Sequence, residues 1–308
     1  MRTHALHVDD GARLHVTVYG REDAELTLLL AHCWTADEQD WHYQVRHLLA
    51  TYGPDLRLVT WDARGHGRSD VASERDCTVP RLARDLGQVV DTFATEGPLV
   101  LAGHSIGGMT IMALPEVRPD VVERVAGLVL VATSSGGLDT VTLGFPEMGP
   151  LLRRQLPRVL ATRARLLTRS ERRRTPSIER WVVNQILMGT PLRLRDAGLV
   201  VDQLVSCAPA TMSGFYRDLM GHERTDDLKA YAGVPTTVMV GSADVLTPPV
   251  HARRLASAID GARLLVLPGA GHYLPLERDE AVSAELVSAV ERARAGVRSA
   301  PVALAQRG

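Results

Sequence analysis

The chain has 308 residues, of which 45% are apolar and 23% charged, the balance of a globular protein with a sizeable core. That composition excludes a disordered chain, a collagen and a coiled coil. Thirty-five basic against 36 acidic side chains leave a formal net charge of -1, so no global field draws the protein to nucleic acid or an anionic membrane.

Residues 4 to 8 and 12 to 19 alternate across Asp9-Asp10-Gly11, a pattern that predicts an opening hairpin. Short runs rich in Val, Leu and Ile then predict buried strands near 26 to 31, 56 to 61, 98 to 102, 126 to 132, 235 to 240 and 262 to 267. Helical periodicity lies near 38 to 51, 79 to 95, 106 to 114, 249 to 259 and 276 to 294. This alternation predicts an α/β fold: a mostly parallel central sheet with helices on both faces.

The rhythm breaks between 137 and 230. There Pro146, Pro150, Pro157, Pro176, Pro191 and Pro209 interrupt short helical stretches, and no buried strand is expected. The segment reads as a helical lid inserted into a core formed by 1 to 136 and 231 to 295, with 296 to 308 a flexible tail. Within it, residues 153 to 174 hold nine arginines and one acid, Glu171, beside an apolar face that includes Leu151, Leu156, Leu160 and Leu167. A solvated basic face is the simpler account; an anion-binding patch is the sharper one.

Cysteines stand only at 33, 77 and 207, an odd set without paired spacing, which fits a reducing compartment. The first residues lack a secretory pattern, and the apolar runs are far shorter than the roughly 20 residues of a membrane span. The expectation is a cytoplasmic protein.

Gly103-His104-Ser105-Ile106-Gly107 follows the run Leu99-Val100-Leu101-Ala102 and precedes a helical stretch, the context that G-x-S-x-G requires. Small residues there let a strained turn pass between strand and helix, and the turn holds the Ser105 hydroxyl outward near the helix amino terminus. A helix cap that happens to contain Ser is the plainer alternative. A serine nucleophile needs a base, and the base needs a carboxylate to fix its tautomer. Asp244, in the turn after the strand at 235 to 240, and His272, in Pro268-Gly269-Ala270-Gly271-His272 after the last strand, fill those roles. Alone, each could be a turn cap or a surface histidine. Asp139 is the reserve acid. Acyl transfer also needs oxyanion donors; the backbone amides of Ile106 and Trp34, the latter in His32-Cys33-Trp34 after the first buried strand, are the candidates.

Together these landmarks resemble the capped α/β-hydrolases of the esterase, haloperoxidase and carbon-carbon hydrolase group. The resemblance spans nearly the whole chain and includes Trp61-Asp62-Ala63-Arg64-Gly65-His66-Gly67-Arg68-Ser69-Asp70. It implies a structural turn there, so that His66 is a structural residue rather than a base or metal ligand. It also implies that Ser105 stands where haloalkane dehalogenases and related epoxide hydrolases carry Asp, which argues against those activities. Relatives usually have His-Gly where this chain has His32-Cys33; the amide that would donate is retained. Cys33 itself reads as a buried small side chain rather than a redox-sensitive thiol.

The resulting expectation is a serine hydrolase that cleaves a carboxylic ester of an apolar or aromatic small molecule through an acyl-enzyme, with no metal or cofactor required. The histidines show no zinc-binding spacing. Substrate-pocket candidates are His32, Met109, Met148, Trp181, Met188, Met212, Phe215 and Tyr273, with ordinary packing as the alternative for each. The arginine-rich lid keeps a thioester on an anionic acyl carrier in play. Cofactor-free haloperoxidase or perhydrolase chemistry, carbon-carbon hydrolysis and a noncatalytic small-molecule receptor are the rival readings. No nucleic-acid partner is expected, and the oligomeric state is left open.

Overall fold

A computed structural model describes residues 1–140, 162, 166 and 176–299 of the chain. Its centre is an 8-stranded sheet in the order β1-β2-β4-β3-β5-β6-β7-β8. The strands are β1 (Arg2–His7), β2 (Arg13–Tyr19), β3 (Thr27–Ala31), β4 (Arg57–Asp62), β5 (Leu99–His104), β6 (Val125–Val131), β7 (Thr236–Gly241) and β8 (Arg263–Leu267). β1 and β2 form the expected hairpin, with Gly11 at φ +85° turning the chain, and β2 runs antiparallel to β4. All later pairings are parallel.

Period-two alternation in the central strands feeds two separate cores. Leu29, Leu101, Leu128, Leu130, Val238 and Val240 face one side. There they meet α2 (Val79–Phe93) through Leu82, Leu86 and Val89, and α3 (Ile106–Met112) through Met109, Ile111 and Met112. Leu28, Leu30, Val100, Ala102, Val129, Val131 and Met239 face the other, against Leu48 of α1 (His42–Tyr52) and Val282, Leu286, Ala289 and Val290 of the helix Asp279–Ser299. Burying each such side chain contributes about 1.5–3 kcal/mol, so a register slip that exchanged the faces would be heavily penalised. The helices are started by local chemistry: the Thr78 side chain accepts from the Arg81 amide, with Pro in the first turn of α2.

Three details differ from the sequence expectation. β8 is an edge strand, partly exposed along its length rather than buried. The helix expected from 38 begins as a 3-10 turn, Glu38–Trp41, capped by Asp37. The last helix is two pieces, Leu274–Glu277 and Asp279–Ser299, and it runs into the segment read as a tail. Between β6 and β7 the regular elements among the described residues are helical, as expected: a 3-10 turn Leu138–Thr140, the helices Ser177–Val182, Leu194–Ser206 and Pro209–Leu219, and a 3-10 helix Asp226–Tyr231. Met148 and most of the arginine-rich stretch at 153 to 174 lie outside the described residues. No described helix is long and apolar enough to cross a membrane.

The chain winds from β3 outward to β4, then crosses back past β3 to β5 and continues the other way. The winding therefore reverses between β3 and β5, where open α/β sheets leave a crevice at their carboxyl ends. Ser105 follows β5, and His32-Cys33-Trp34 follows β3.

Candidate active site

Ser105 stands at φ 54° and ψ -116°, a conformation that L side chains rarely adopt. Its backbone is held from three directions. The Ser105 amide donates to Val131 O at 2.9 Å, and Ser105 O accepts from the Met109 amide at 3.1 Å and from Thr133 Oγ1 at 2.7 Å. The flanking glycines are required by contact: a Cβ on Gly103 would lie 2.4 Å from the Gly108 nitrogen, and one on Gly107 2.2 Å from Ala31 O. The elbow thus fits only if helix α3 passes directly over β3 and β5.

His272 and Asp244 meet, although 28 residues separate them. His272 Nδ1 lies 2.9 Å from Asp244 Oδ2. The same carboxylate accepts from Thr247 Oγ1 at 2.8 Å and from the Leu246 and Thr247 amides, each at 2.9 Å. Burial opposes ionisation of Asp244, but His272 and these donors outweigh it and hold the carboxyl below its ordinary range. Burial likewise opposes charging of His272, and the Asp244 carboxylate outweighs it, so the imidazole pKa is raised. Asp139, by contrast, is exposed in the turn Leu138–Thr140. No hydrogen bond joins Ser105 Oγ to the His272 ring among the described residues; His272 and Asp244 are paired, and Ser105 follows His104 at the end of β5. The His104 and His272 ring centroids are 5.2 Å apart.

The loop after β3 is tied down on several sides. His32 accepts from the Ala63 amide through Nε2 at 2.9 Å, and its Nδ1 lies 2.7 Å from Cys33 O. Both ring nitrogens of this pocket candidate are therefore spent on structure. The Cys33 amide donates to Asp40 Oδ2 at 3.1 Å, whereas among the described residues no hydrogen bond uses the Trp34 amide. Ile106 opens α3, so its amide has no intrahelical acceptor. Thr35, at φ 65°, stores strain directly after Trp34.

The other pocket candidates divide. Phe215 and Met212 are buried on the helix Pro209–Leu219, and the Phe215 ring lies 5.5 Å from that of His66. On the same helix Tyr216 stacks on Trp34 at 6.4 Å; sequence reading missed this contact. Met109 is buried in α3 and Met188 beside the His272 loop, where the His272 amide donates to Leu187 O at 2.7 Å. Tyr273 is buried and packs edge-on to both His104 and His272. Trp181 is 47% exposed. His66 Nδ1 lies 2.9 Å from Arg64 O, and burial pushes its pKa down to about 3, so it is a neutral structural donor.

Three residues to which the sequence reading gave no role also touch the site. Glu277, buried, accepts from the Gly271 and Gly189 amides through Oε2, both at 2.8 Å, and from the Tyr273 amide through Oε1 at 3.0 Å. It brackets His272 and binds its loop to the segment at 187 to 190. Asp40 and His104 lie beneath the site, with His104 Nε2 2.9 Å from His272 O. The position of His104 within the elbow motif and of Glu277 one turn after His272 are the signals that could have marked them.

A second Ser–His contact, Ser134 Oγ to His251 Nδ1 at 2.8 Å, is of a different kind. Gly136 O lies 2.7 Å from that hydroxyl and 3.0 Å from that nitrogen. A carbonyl only accepts, so hydroxyl and imidazole both direct hydrogens at it, and the ring acts as a donor that closes the loop after β6.

Residues 28–285 match the model of the Alpha/beta hydrolase family. The chain is 31% identical over 253 residues to a protein of Mycobacterium tuberculosis named as a candidate non-heme bromoperoxidase, covering 80% of this chain and 87% of that one. It is 37% identical over 118 residues to a lipase of the same organism, 38% of this chain and 41% of the lipase. Among solved structures, a thermophilic esterase from Thermogutta terrifontis superposes with a TM-score of 0.72 at 23% identity, covering 95% of this chain and 99% of the esterase. An enol-lactonase from Burkholderia xenovorans does so with a TM-score of 0.73 at 22% identity, over 93% and 99%. At these identities the solved structures speak to the fold alone. The family pattern covers most of the length and the sheet carries the matching fold: the chain belongs to the alpha/beta hydrolase family.

Proposed function

We propose that the protein is a serine hydrolase that cleaves a carboxylic ester of an apolar or aromatic small molecule through an acyl-enzyme. His272 takes the Ser105 proton, Ser105 Oγ attacks the carbonyl carbon, and the amides of Ile106 and Trp34 hold the oxyanion. His272 returns the proton to the departing alcohol, then activates water to release the acid. Asp244 keeps the Nδ1–H tautomer, so Nε2 is the free base. The described helices between β6 and β7 cap the site, with Pro209–Leu219 set against Trp34 through Tyr216. The observation that carries this reading is the buried His272–Asp244 hydrogen bond at 2.9 Å, together with a serine held at φ 54° in the turn after β5.

A second reading on the same triad, cofactor-free perhydrolase chemistry, draws support from the bromoperoxidase-named relative. Hydrogen peroxide would replace water in attacking the acyl-enzyme, giving a peracid and free Ser105.

Short acyl esters, a coenzyme A thioester and vinylogous diketones, assayed with wild type and Ser105→Ala, separate these activities; peroxide added to the ester assay reads peracid formation. Ester turnover is expected, with a loss of at least about a thousandfold in Ser105→Ala. Unchanged ester turnover in Ser105→Ala would overturn the proposal. Diketone cleavage without esterase activity would replace the ester reading by carbon-carbon hydrolysis, and unchanged ligand recovered from the intact protein would favour a receptor.

A further inference from the structure

Cys33, Asp40 and His104 bring a sulfur, a carboxylate oxygen and a ring nitrogen within 4.8 Å of one another, all buried. The spacing within the group suits a shared proton better than a metal. His104 Nδ1 lies 2.7 Å from Asp40 Oδ2, whereas two such atoms on one tetrahedral zinc stand about 3.4 Å apart. The Cys33 thiol donates to Trp34 O at 3.2 Å.

We propose that Asp40 and His104 are a positioning pair, one hydrogen-bonded unit that keeps the oxyanion loop, the nucleophile elbow and the catalytic base in register. The proposal rests on the triad reading above. His104 belongs to the elbow and immediately precedes Ser105. Its Nε2 meets His272 O at 2.9 Å, and since that carbonyl only accepts, Nε2 carries a hydrogen. Asp40 Oδ2 receives the Cys33 amide at 3.1 Å, one residue before the Trp34 donor. Two side chains thus reach all three working parts of the site.

The proton count makes the unit specific. With Nε2–H fixed, Nδ1 and Oδ2 share one hydrogen, as imidazolium and carboxylate or as imidazole and carboxylic acid; either way the pair is neutral overall. Asp40 Oδ1 has no partner among the described residues, and a bare carbonyl oxygen is less costly there than a bare carboxylate oxygen. Asn at 40 cannot reproduce this. With its oxygen at the Oδ2 position, it accepts from Cys33 but draws the His104 hydrogen to Nδ1, setting a bare Nε2 against His272 O. With its nitrogen there, it faces the Cys33 amide donor to donor.

Asp40→Asn, His104→Asn, His104→Gln and the Asp40→Asn/His104→Asn double variant test the unit, each checked for folding by its thermal melt. Asp40→Asn and His104→Asn are expected to lose on the order of 10- to 100-fold in kcat on an ester, with KM changed less than about twofold. His104→Gln, which can place an amide N–H where Nε2 stood, retains more kcat than His104→Asn. The double variant is no slower than about the slower single, since both break one unit. Independently of any assay, hydrogen exchange read by mass spectrometry is faster in Asp40→Asn both at 32 to 35 and at 270 to 274.

Folded single variants with wild-type kcat, a double variant whose losses multiply, or unchanged exchange at 270 to 274 would overturn the pair. So would one zinc per chain in the purified protein, with activity lost to a chelator. Should Ser105→Ala retain activity, the triad reading fails, and the exchange result alone decides whether the pair couples the two loops.

Discussion

Asp244 Oδ2 accepts from both His272 Nδ1, at 2.9 Å, and Thr247 Oγ1, at 2.8 Å. One oxygen therefore orients the imidazole while a neighbouring turn orients the oxygen. In the proposed mechanism neutral His272 is the base, so kcat/KM is expected to fall as pH drops through its pKa, which is raised above the ordinary 6.5. Asp244→Asn is expected to move this acid limb to lower pH and to reduce kcat on the order of a thousand- to ten-thousandfold. The pH profile of ester hydrolysis by the two proteins checks both; an unmoved limb would deny that Asp244 faces the working base.

The same pair sets a stability window. His272, with its raised folded pKa, contributes stability that is complete below 6.5 and is lost as pH rises through the folded value. Asp244, with its lowered pKa, contributes stability that is present above 3.8 and is lost as pH falls through its folded value. Relative to wild type, the Asp244→Asn deficit in urea melts is therefore greatest between these values and shrinks toward either side.

Glu277 holds three amides on two oxygens. In Glu277→Gln one of those oxygens becomes an NH2 that faces an amide donor, leaving at least one buried group unpaired, at a loss of about 1–3 kcal/mol. Urea unfolding reads that loss, and kcat on an ester falls with it because one of the two amides flanking His272 loses its acceptor.

Gly107 and Gly198 predict opposite results from one substitution. Gly107→Ala puts a Cβ 2.2 Å from Ala31 O and 2.9 Å from His32 O, both backbone atoms of the strand and loop beneath α3. Loss of soluble protein or of several-fold activity is expected. Gly198, in the helix Leu194–Ser206, has nothing within 4 Å of the added Cβ, so Gly198→Ala stabilises by about 0.5–1 kcal/mol. Thermal melts of the two variants check the contrast.

Cys33 and Cys77 are inert thiols by this structure. Burial raises Cys33 well above its ordinary value, and raises Cys77 to about 12. Native protein treated with iodoacetamide at neutral pH is expected to leave both unlabelled by peptide mass spectrometry, and unfolding in urea exposes them. Rapid labelling of native Cys33 would contradict its burial in the loop after β3.

Much of the fold was legible because it is written in local pattern. The alternation Leu28, Leu29, Leu30 became two cores on opposite faces, and each expected strand lies within two residues of its predicted bounds. β8 misled because edge position belongs to the sheet, not to the run of apolar residues that forms the strand. The elbow was readable for a steric reason: Gly103 and Gly107 answer contacts that any strand-turn-helix of this kind makes.

His32 shows where reading along the chain ends. It was a pocket candidate in the loop after β3, yet its ring is fully committed to Ala63 and Cys33. Trp181 was chosen as an aromatic wall and is nearly half exposed. The roles of Asp40, His104 and Glu277 went unseen because they consist of contacts to partners 4 to 168 residues away, mostly backbone atoms that no side-chain pattern announces.

By itself the amino-acid order determined the alternation of strands and helices, the strained serine turn and the positions at which an acid and a base could follow later strands. These follow from sterics and hydrophobic periodicity over a few residues. Only the tertiary structure decided that Asp244 rather than Asp139 meets His272, and that Asp40, His104 and Glu277 grip the surrounding loops. Those contacts depend on which strands become neighbours, and sheet order is settled by burial of the whole chain.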